Sequence, residues 1–240
     1  MKTIHDENLK TLKGKTKLQY IWDYYKLPLA LPGILLYILA YNLYSRLTDK
    51  ESVLSTALVN VNAGETLTEG LCDGFLASMN LNPSKCRVEL YTGLYLTDDE
   101  LNEYHQYTYA SRMKILAMID GELLDVVLMN KEAFDAFSQN GYLCDLEELL
   151  TRTDSGLYDA IQQDLADNIV ILEDNQDELL FDASASYHAV TEEHRYGIDL
   201  SQTSLVGSAG FNEPVYFGLI ANSPHTDIAV EYLKYLYDYK

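Results

Sequence analysis

Between Lys26 and Arg46 the chain carries nineteen consecutive residues without a charge, about the length an α-helix needs to cross the roughly 30 Å hydrocarbon core of a bilayer. The run from Leu27 to Leu43 reads LPLALPGILLYILAYNL, and Pro28, Pro32, Gly33 and Asn42 weaken it as a helix without adding charge. Tyr20, Trp22, Tyr24 and Tyr25 precede it, and Tyr41 and Tyr44 close it, where amphipathic rings settle at headgroup level. The pattern predicts a single transmembrane signal anchor over residues 27–45. It divides the rest into an amino-terminal segment 1–26, a linker 46–52 and a domain 53–240.

Orientation follows from the flanks. Residues 1–26 hold six lysines (Lys2, Lys10, Lys13, Lys15, Lys17, Lys26) against Asp6, Glu7 and Asp23, which places the amino terminus in the cytoplasm and the following domain outside the cell membrane. The apolar run ends Ala-Tyr-Asn-Leu-Tyr-Ser, with no small-x-small pair for a signal peptidase and no cysteine for a lipid anchor. An uncleaved anchor therefore fits better than a cleaved leader; a helix buried in a globular core is the third reading.

Beyond Arg46 there are 10 basic against 34 acidic residues, a net of −24. Such a surface repels nucleic acid and anionic lipid, and favours cations or basic partners over phosphorylated ligands. Because the acids are scattered among apolar residues, most of them simply solvate a folded domain. The part is long enough for one domain with its own core. Cys72, Cys86 and Cys144 are odd in number and show no metal spacing; one bridge, such as Cys72 to Cys86, and three free thiols both fit.

Residues 53–61, VLSTALVNV, are short, apolar and β-branched, which suits a buried strand. Leu67, Leu71, Phe75 and Met79 then recur at i+4, the spacing of an amphipathic helix. Arg87 to Leu94 reads as a second strand. Thr97-Asp98-Asp99-Glu100 has the form of a capping box and predicts a helix from there to about Ile119. Asp120-Gly121 breaks that helix, and Leu123 to Met129 is apolar enough to be a strand buried on both faces.

Lys131 to Gln139 predicts a short helix closed by Asn140-Gly141, and Tyr142 to Leu146 returns towards a further helical stretch. Helix is predicted over Gly156 to Asp167, and strands at Leu179 to Tyr187, Arg195 to Leu200 and Val215 to Ala221. Ser223-Pro224 reads as the cap and first turn of a closing helix with Ile228, Ala229, Tyr232, Leu233 and Leu236 inward. Strands alternating with helices predict a doubly wound, mostly parallel α/β sheet.

The phrases Gly121-Glu122-Leu123-Leu124-Asp125-Val126-Val127, Gly141-Tyr142-Leu143-Cys144-Asp145-Leu146 and Ala221-Asn222-Ser223 to Leu236 resemble the extracellular solute-binding proteins of ABC importers, which have the type II periplasmic-binding-protein fold. The first is similar to that family's G-x-x-P-D-V-V strand, with Leu124 in place of the proline; the second is similar to its G-x-L-x-D-L segment. The stretch Lys17 to Lys26, KLQYIWDYYK, looks like the start of signal-anchored proteins of Gram-positive bacteria. The resemblance covers residues 53–150 and 195–240 and implies one lobe of that fold. A second lobe would have to come from residues 151–195, too few to bury an independent core, so it is rudimentary or absent. The family further implies a small-molecule solute, and an ABC permease or other envelope protein as partner.

Open α/β sheets bind ligands beyond the carboxyl ends of their strands. That rule marks Asn60, Asn62 and Gly64 after the first strand, Tyr91, Thr92 and Gly93 at the second, Asn130 and Lys131 after the third, and Asn222 after the last. The same residue types serve ordinary turns. His188 and His194 flank Glu192 and Glu193 in HAVTEEH, a spacing that matches no standard metal pattern. His105 reads as an exposed helix residue. There is no G-x-S-x-G, P-loop or G-x-G-x-x-G; Ser208-Ala209-Gly210 lacks the elbow. The sequence thus predicts a non-catalytic binding module without cofactor or metal. An envelope interaction protein that uses its many tyrosines at an interface is the alternative, and an exported hydrolase ranks third.

Overall fold

Leu54 and Leu58 on one side of strand β1 (Glu51–Val59), and Ala57 and Val59 on the other, are all at most 1 % exposed, so this strand is covered on both faces, as a central strand must be. Strand β3 (Val126–Met129) repeats the pattern, with Val126 and Leu128 facing one core and Val127 and Met129 the other. The computed structural model describes residues 30–44, 50–181 and 184–238, together with Gly14 and Trp22. It divides into two units, Met1–Asp49 and Lys50–Lys240.

In the first unit residues 30–44 are helical and exposed along their length. Asn42 Nδ2 donates to Ile38 O at 2.8 Å, so its amide is satisfied within the helix. The described stretch is about 22 Å long, and among the described residues no helix is long and apolar enough to cross a membrane. The ends of the predicted span, 27–29 and 45, lie outside the described residues, as do nearly all of 1–26 and the linker positions 46–49. Strand β1 begins at Glu51, inside the predicted linker.

The second unit holds β1, β2 (Cys86–Leu94), β3, β4 (Leu165–Asp174), β5 (Ala189–Asp199) and β6 (Tyr216–Leu219) in one six-stranded sheet, ordered β2-β1-β3-β6-β5-β4. β1 pairs parallel with β2 and β3, whereas β3 with β6, β6 with β5 and β5 with β4 are antiparallel. The architecture is α/β with helices on both faces, but the sheet is mixed rather than mostly parallel. Its second half consists of antiparallel neighbours: β4 and β5 pair from Leu165↔Ile198 to Asp174↔Ala189. Residues 151–195 therefore extend the same sheet, and among the described residues no second lobe is present.

Helix α1 is α-helical over Glu65–Glu69, widens to a π turn over Gly70–Gly74 and closes over Phe75–Ser78. Leu67, Leu71 and Phe75 are buried as their spacing predicts. Helix α2 is His105–Asp120, α3 Lys131–Gln139, α4 Leu146–Thr153, α5 Ser155–Ile161, α6 Gln176–Phe181, α7 Ser204–Gly207 and α8 Thr226–Leu236. Helices α1, α4, α5, α7 and α8 cover one face and α2 and α3 the other. Each fully buried Leu or Phe in these layers contributes about 1.5–3 kcal/mol relative to exposure.

Four predicted elements differ. Leu165–Asp174 is a strand, so the helix predicted over 156–167 stops at Ile161; β-branched Ile169, Val170 and Ile171 favour a strand over a helix. Leu179 to Phe181 lie in helix α6, not in a strand. The capping box at Thr97 does not form: Thr97 Oγ1 accepts from Asp99 N at 3.2 Å in a local turn, and α2 begins eight residues later. Ser223 does not cap α8; its hydroxyl donates to Asp125 Oδ1 at 2.6 Å.

Candidate functional site

Asn60 ends β1 with φ 58°, a left-handed conformation that Asn tolerates better than most residues. That turn aims its amide at the backbone of the loop after β2. Nδ2 donates to Leu96 O at 2.6 Å, and Oδ1 accepts from Leu96 N at 2.8 Å. Nδ2 also reaches Asn130 Oδ1 at 3.0 Å. Asn130 follows β3 and caps α3, accepting from Ala133 N at 3.1 Å, while its Nδ2 donates to Glu213 Oε2 at 3.3 Å. Two strand ends and the loop 95–104 are thereby tied together.

Two further backbone groups of the loop are satisfied by α2. Tyr95 N donates to Ser111 Oγ at 3.0 Å, and Thr97 N to Thr108 Oγ1 at 3.3 Å. This is why α2 buries two hydroxyl side chains and has a weak apolar stripe. Tyr95 donates its hydroxyl to Asn62 Oδ1 at 3.1 Å and stacks on Tyr104, with centroids 4.1 Å apart and planes within 5°. A hydrogen bond to Glu103, together with that carboxylate's charge, pushes the Tyr104 phenol up.

Between these groups lies a pocket of 180 Å³, lined by Asn60, Asn62, Tyr95, Thr97, Asn102, Tyr104, Asn130 and Glu132. Its polar atoms are amides, phenols, a hydroxyl and one carboxylate. With no basic side chain in the lining among the described residues, it suits a small uncharged polar molecule or a cation better than an anion.

Of the predicted site residues, Asn60, Asn62 and Asn130 converge here. Gly64 instead precedes α1 in extended backbone, with φ −72° and ψ 172°. Tyr91 is in mid-strand on β2 with Lys114 Nζ 5.3 Å from its ring centroid, and burial first of all raises its pKa. Thr92 is exposed on the same strand. Lys131 pairs with Asp135 and lies over the Phe134 ring at 5.4 Å. Asn222 sits at the opposite end of the sheet and donates to Ile119 O at 2.8 Å, because β6 runs antiparallel and its carboxyl end meets the amino end of β3.

The sequence does not mark Tyr95, Thr97, Asn102 and Tyr104, because YLTDDELNEY reads as the approach to and start of a helix, nor Glu132, which falls inside the helix predicted over Lys131 to Gln139. The dense alternation of Tyr and Asn with acids is the signal that marks YLTDDELNEY as a loop. Asp125 goes unmarked too. This carboxylate, 1 % exposed, accepts from Ser55 N at 2.7 Å and Ser223 Oγ at 2.6 Å and faces His225 Nδ1 at 3.1 Å. The residue types match a catalytic triad but the order does not: the serine bonds to the carboxylate, so no base is set to activate it.

His194 Nδ1 lies 2.8 Å from Asp145 Oδ2 and Nε2 3.5 Å from Glu192, while His188 bonds to Asn175 and Ser186. Among the described residues no group of three or more His, Cys, Asp or Glu is placed to hold a metal ion. The three cysteines are free and partly buried; burial is the first cause that pushes the Cys72 and Cys144 thiols up. Comparison with protein-family models, with curated proteins and with solved structures gives no match.

Proposed function

We propose that residues 50–240 form a non-catalytic binding module that takes a small polar, uncharged or cationic solute at the Asn60–Asn62–Asn130 pocket. In this reading residues 27–45 tether the module to the outside of the cell membrane, with the amino terminus in the cytoplasm, in the manner of a reduced solute-binding lobe serving an ABC permease. The observation that carries it is convergence: three asparagines from two separate strand ends meet one pair of stacked tyrosines in a single pocket. The element order across the resembling phrases also supports it, since Gly121 closes α2 before β3, and the Ala221-to-Leu236 phrase follows β6 with the closing helix α8.

Thermal unfolding of the full chain, solubilised in neutral detergent, tests the reading against neutral sugars, amino acids and polyamines. A true ligand at 100 times its dissociation constant stabilises by about 2.7 kcal/mol, and Asn62→Ala should abolish the shift. No shift with any of these classes overturns solute capture. The tether has its own test: protease added to intact cells should remove the domain, and a protected domain overturns the topology.

The second reading, an interaction protein of the cell envelope, is favoured by one observation. Helix α2 and the loop before it leave Leu101, Tyr107, Tyr109 and Met113 at least half exposed, from 50 % to 94 %.

A further inference from the structure

Next to the polar pocket, on the face covered by α2 and α3, lies a larger cleft of 780 Å³ bounded by those helices and by the end of β4 with the start of α6. Its volume is in the range that accepts several side chains of a peptide or a drug-sized molecule. Two features of its lining bear on what it could hold. Met113 and Leu116 present apolar side chains to it, 51 % and 38 % exposed, although an α/β domain ordinarily closes such a gap with its own residues. Met is the side chain best able to adapt to a varied apolar partner.

The second feature is charge. Among the described residues, Asp98, Glu132, Asp135 and Asp174 line the cleft against one basic residue, Arg112. That guanidinium is taken up by Asp98 at 2.5 Å, and Asp135 is engaged by Lys131 and by Asn168 Nδ2 at 2.8 Å. Glu132 and Asp174 are left to backbone and hydroxyl donors: Glu132 accepts from Asp98 N at 3.0 Å, and Asp174 from Gln176 N at 3.1 Å and Tyr187 OH at 3.5 Å. Among the described residues, Glu132 and Asp174 therefore meet no cation, beside the apolar side chains of Met113 and Leu116.

We infer that this cleft docks a peptide segment of a partner protein in which a lysine or arginine neighbours apolar side chains. The apolar side chain packs between Met113 and Leu116, and the cation lies towards Asp174 and Glu132. Charge complementarity selects this occupant: an acidic or phosphorylated segment would meet the uncompensated carboxylates, and a purely apolar one would strip their water without replacing it. The inference uses a different cavity from solute capture, with Glu132 lining both, and it gives the interaction reading a specific surface.

The test is fluorescence anisotropy at about 0.15 M salt, where surface charge is screened beyond about 8 Å. The full chain in neutral detergent is titrated into a short labelled peptide of alternating lysine and leucine, with a lysine–serine peptide of equal charge as comparator. Binding of the lysine–leucine peptide should weaken about tenfold or more in E132Q/D174N and in Met113→Gln, while E65Q/E69Q, the same charge change on α1 across the sheet, should leave it unaltered. The lysine–serine peptide should bind at least about tenfold more weakly than the lysine–leucine one. Absence of binding, equal loss in the two double variants, or equal binding of both peptides would each overturn the docking site. Solute-induced shifts that persist in Met113→Gln would keep the two proposals separate.

Discussion

His194 Nδ1 lies 2.8 Å from Asp145 Oδ2 and so joins β5 to the start of α4, which the other oxygen of Asp145 caps by accepting from Glu148 N at 3.0 Å. The Asp145 hydrogen bond is the main cause that raises the His194 pKa; burial opposes it and Glu192 adds to it. A folded value above the unfolded one means the pair's contribution is fully present below about pH 6.5 and is lost as pH rises through the folded value. With the side chain 35 % exposed, screening holds the effect below about 1 kcal/mol. Urea midpoints should fall between about pH 6 and pH 8 by an amount that His194→Gln removes. A slope unchanged in that variant would show that another group causes it.

Tyr232 OH donates to Leu71 O at 3.1 Å and Tyr235 OH to Gly70 O at 2.8 Å, so the two tyrosines of α8 satisfy carbonyls that the π turn of α1 redirects. Tyr232 is fully buried, and Tyr232→Phe should cost about 1–3 kcal/mol through the orphaned carbonyl. A Cβ at Gly74 would collide with the Tyr235 hydroxyl. Gly74→Ala should therefore destabilise by displacing that ring, and combined with Tyr235→Phe it should cost clearly less than the sum of the two. Additive losses in chemical denaturation would separate the π turn from Tyr235.

Asn60 does two things that can be taken apart. Its left-handed φ of 58° costs a residue with a Cβ about 1 kcal/mol, and its amide clamps Leu96 with two hydrogen bonds worth about 0.5–1.5 kcal/mol each. Asn60→Gly keeps the turn and loses the clamp; Asn60→Ala loses both. The alanine variant should be the less stable by about 1 kcal/mol, and both should speed amide exchange in the loop 95–104 relative to the wild-type chain. Equal stability of the two would mean that the backbone there relaxes freely.

The parallel half of the sheet is legible in the sequence because each of its parts has one strong physical reason to form. β1 and β3 are apolar on both faces, and α3 follows its cap Asn130 from Lys131 to Gln139 as its pattern predicts. The other half is less so. β4 is an edge strand with only Asn168 buried, so it shows neither alternation nor a continuous apolar run. The direction of β6 leaves no trace in its composition, which is why Asn222 is placed at the wrong end of the sheet while Asn60 and Asn130 are not. The loop 95–104 is misread for a different reason: Thr97 and Asp99 form local turns with the same residue types that cap helices.

Asp125 offers the sharpest test of what holds the opposite sheet end together. It is the acid in an otherwise apolar strand entry, and its three partners come from two places: Ser55 N on β1 at 2.7 Å, and Ser223 Oγ at 2.6 Å with His225 Nδ1 at 3.1 Å in the segment before α8. The carboxylate accepts from all of them, so replacing it with an amide turns one acceptor into a donor facing a donor. Ser55 N belongs to the sheet and cannot turn away, whereas Ser223 can rotate its hydroxyl. Asp125→Asn should thus cost about 1–3 kcal/mol and Ser223→Ala about 1 kcal/mol or less, with the order read from urea midpoints. If Ser223→Ala proved the costlier, the serine rather than the buried carboxylate would be the group that fixes the start of α8 on the sheet.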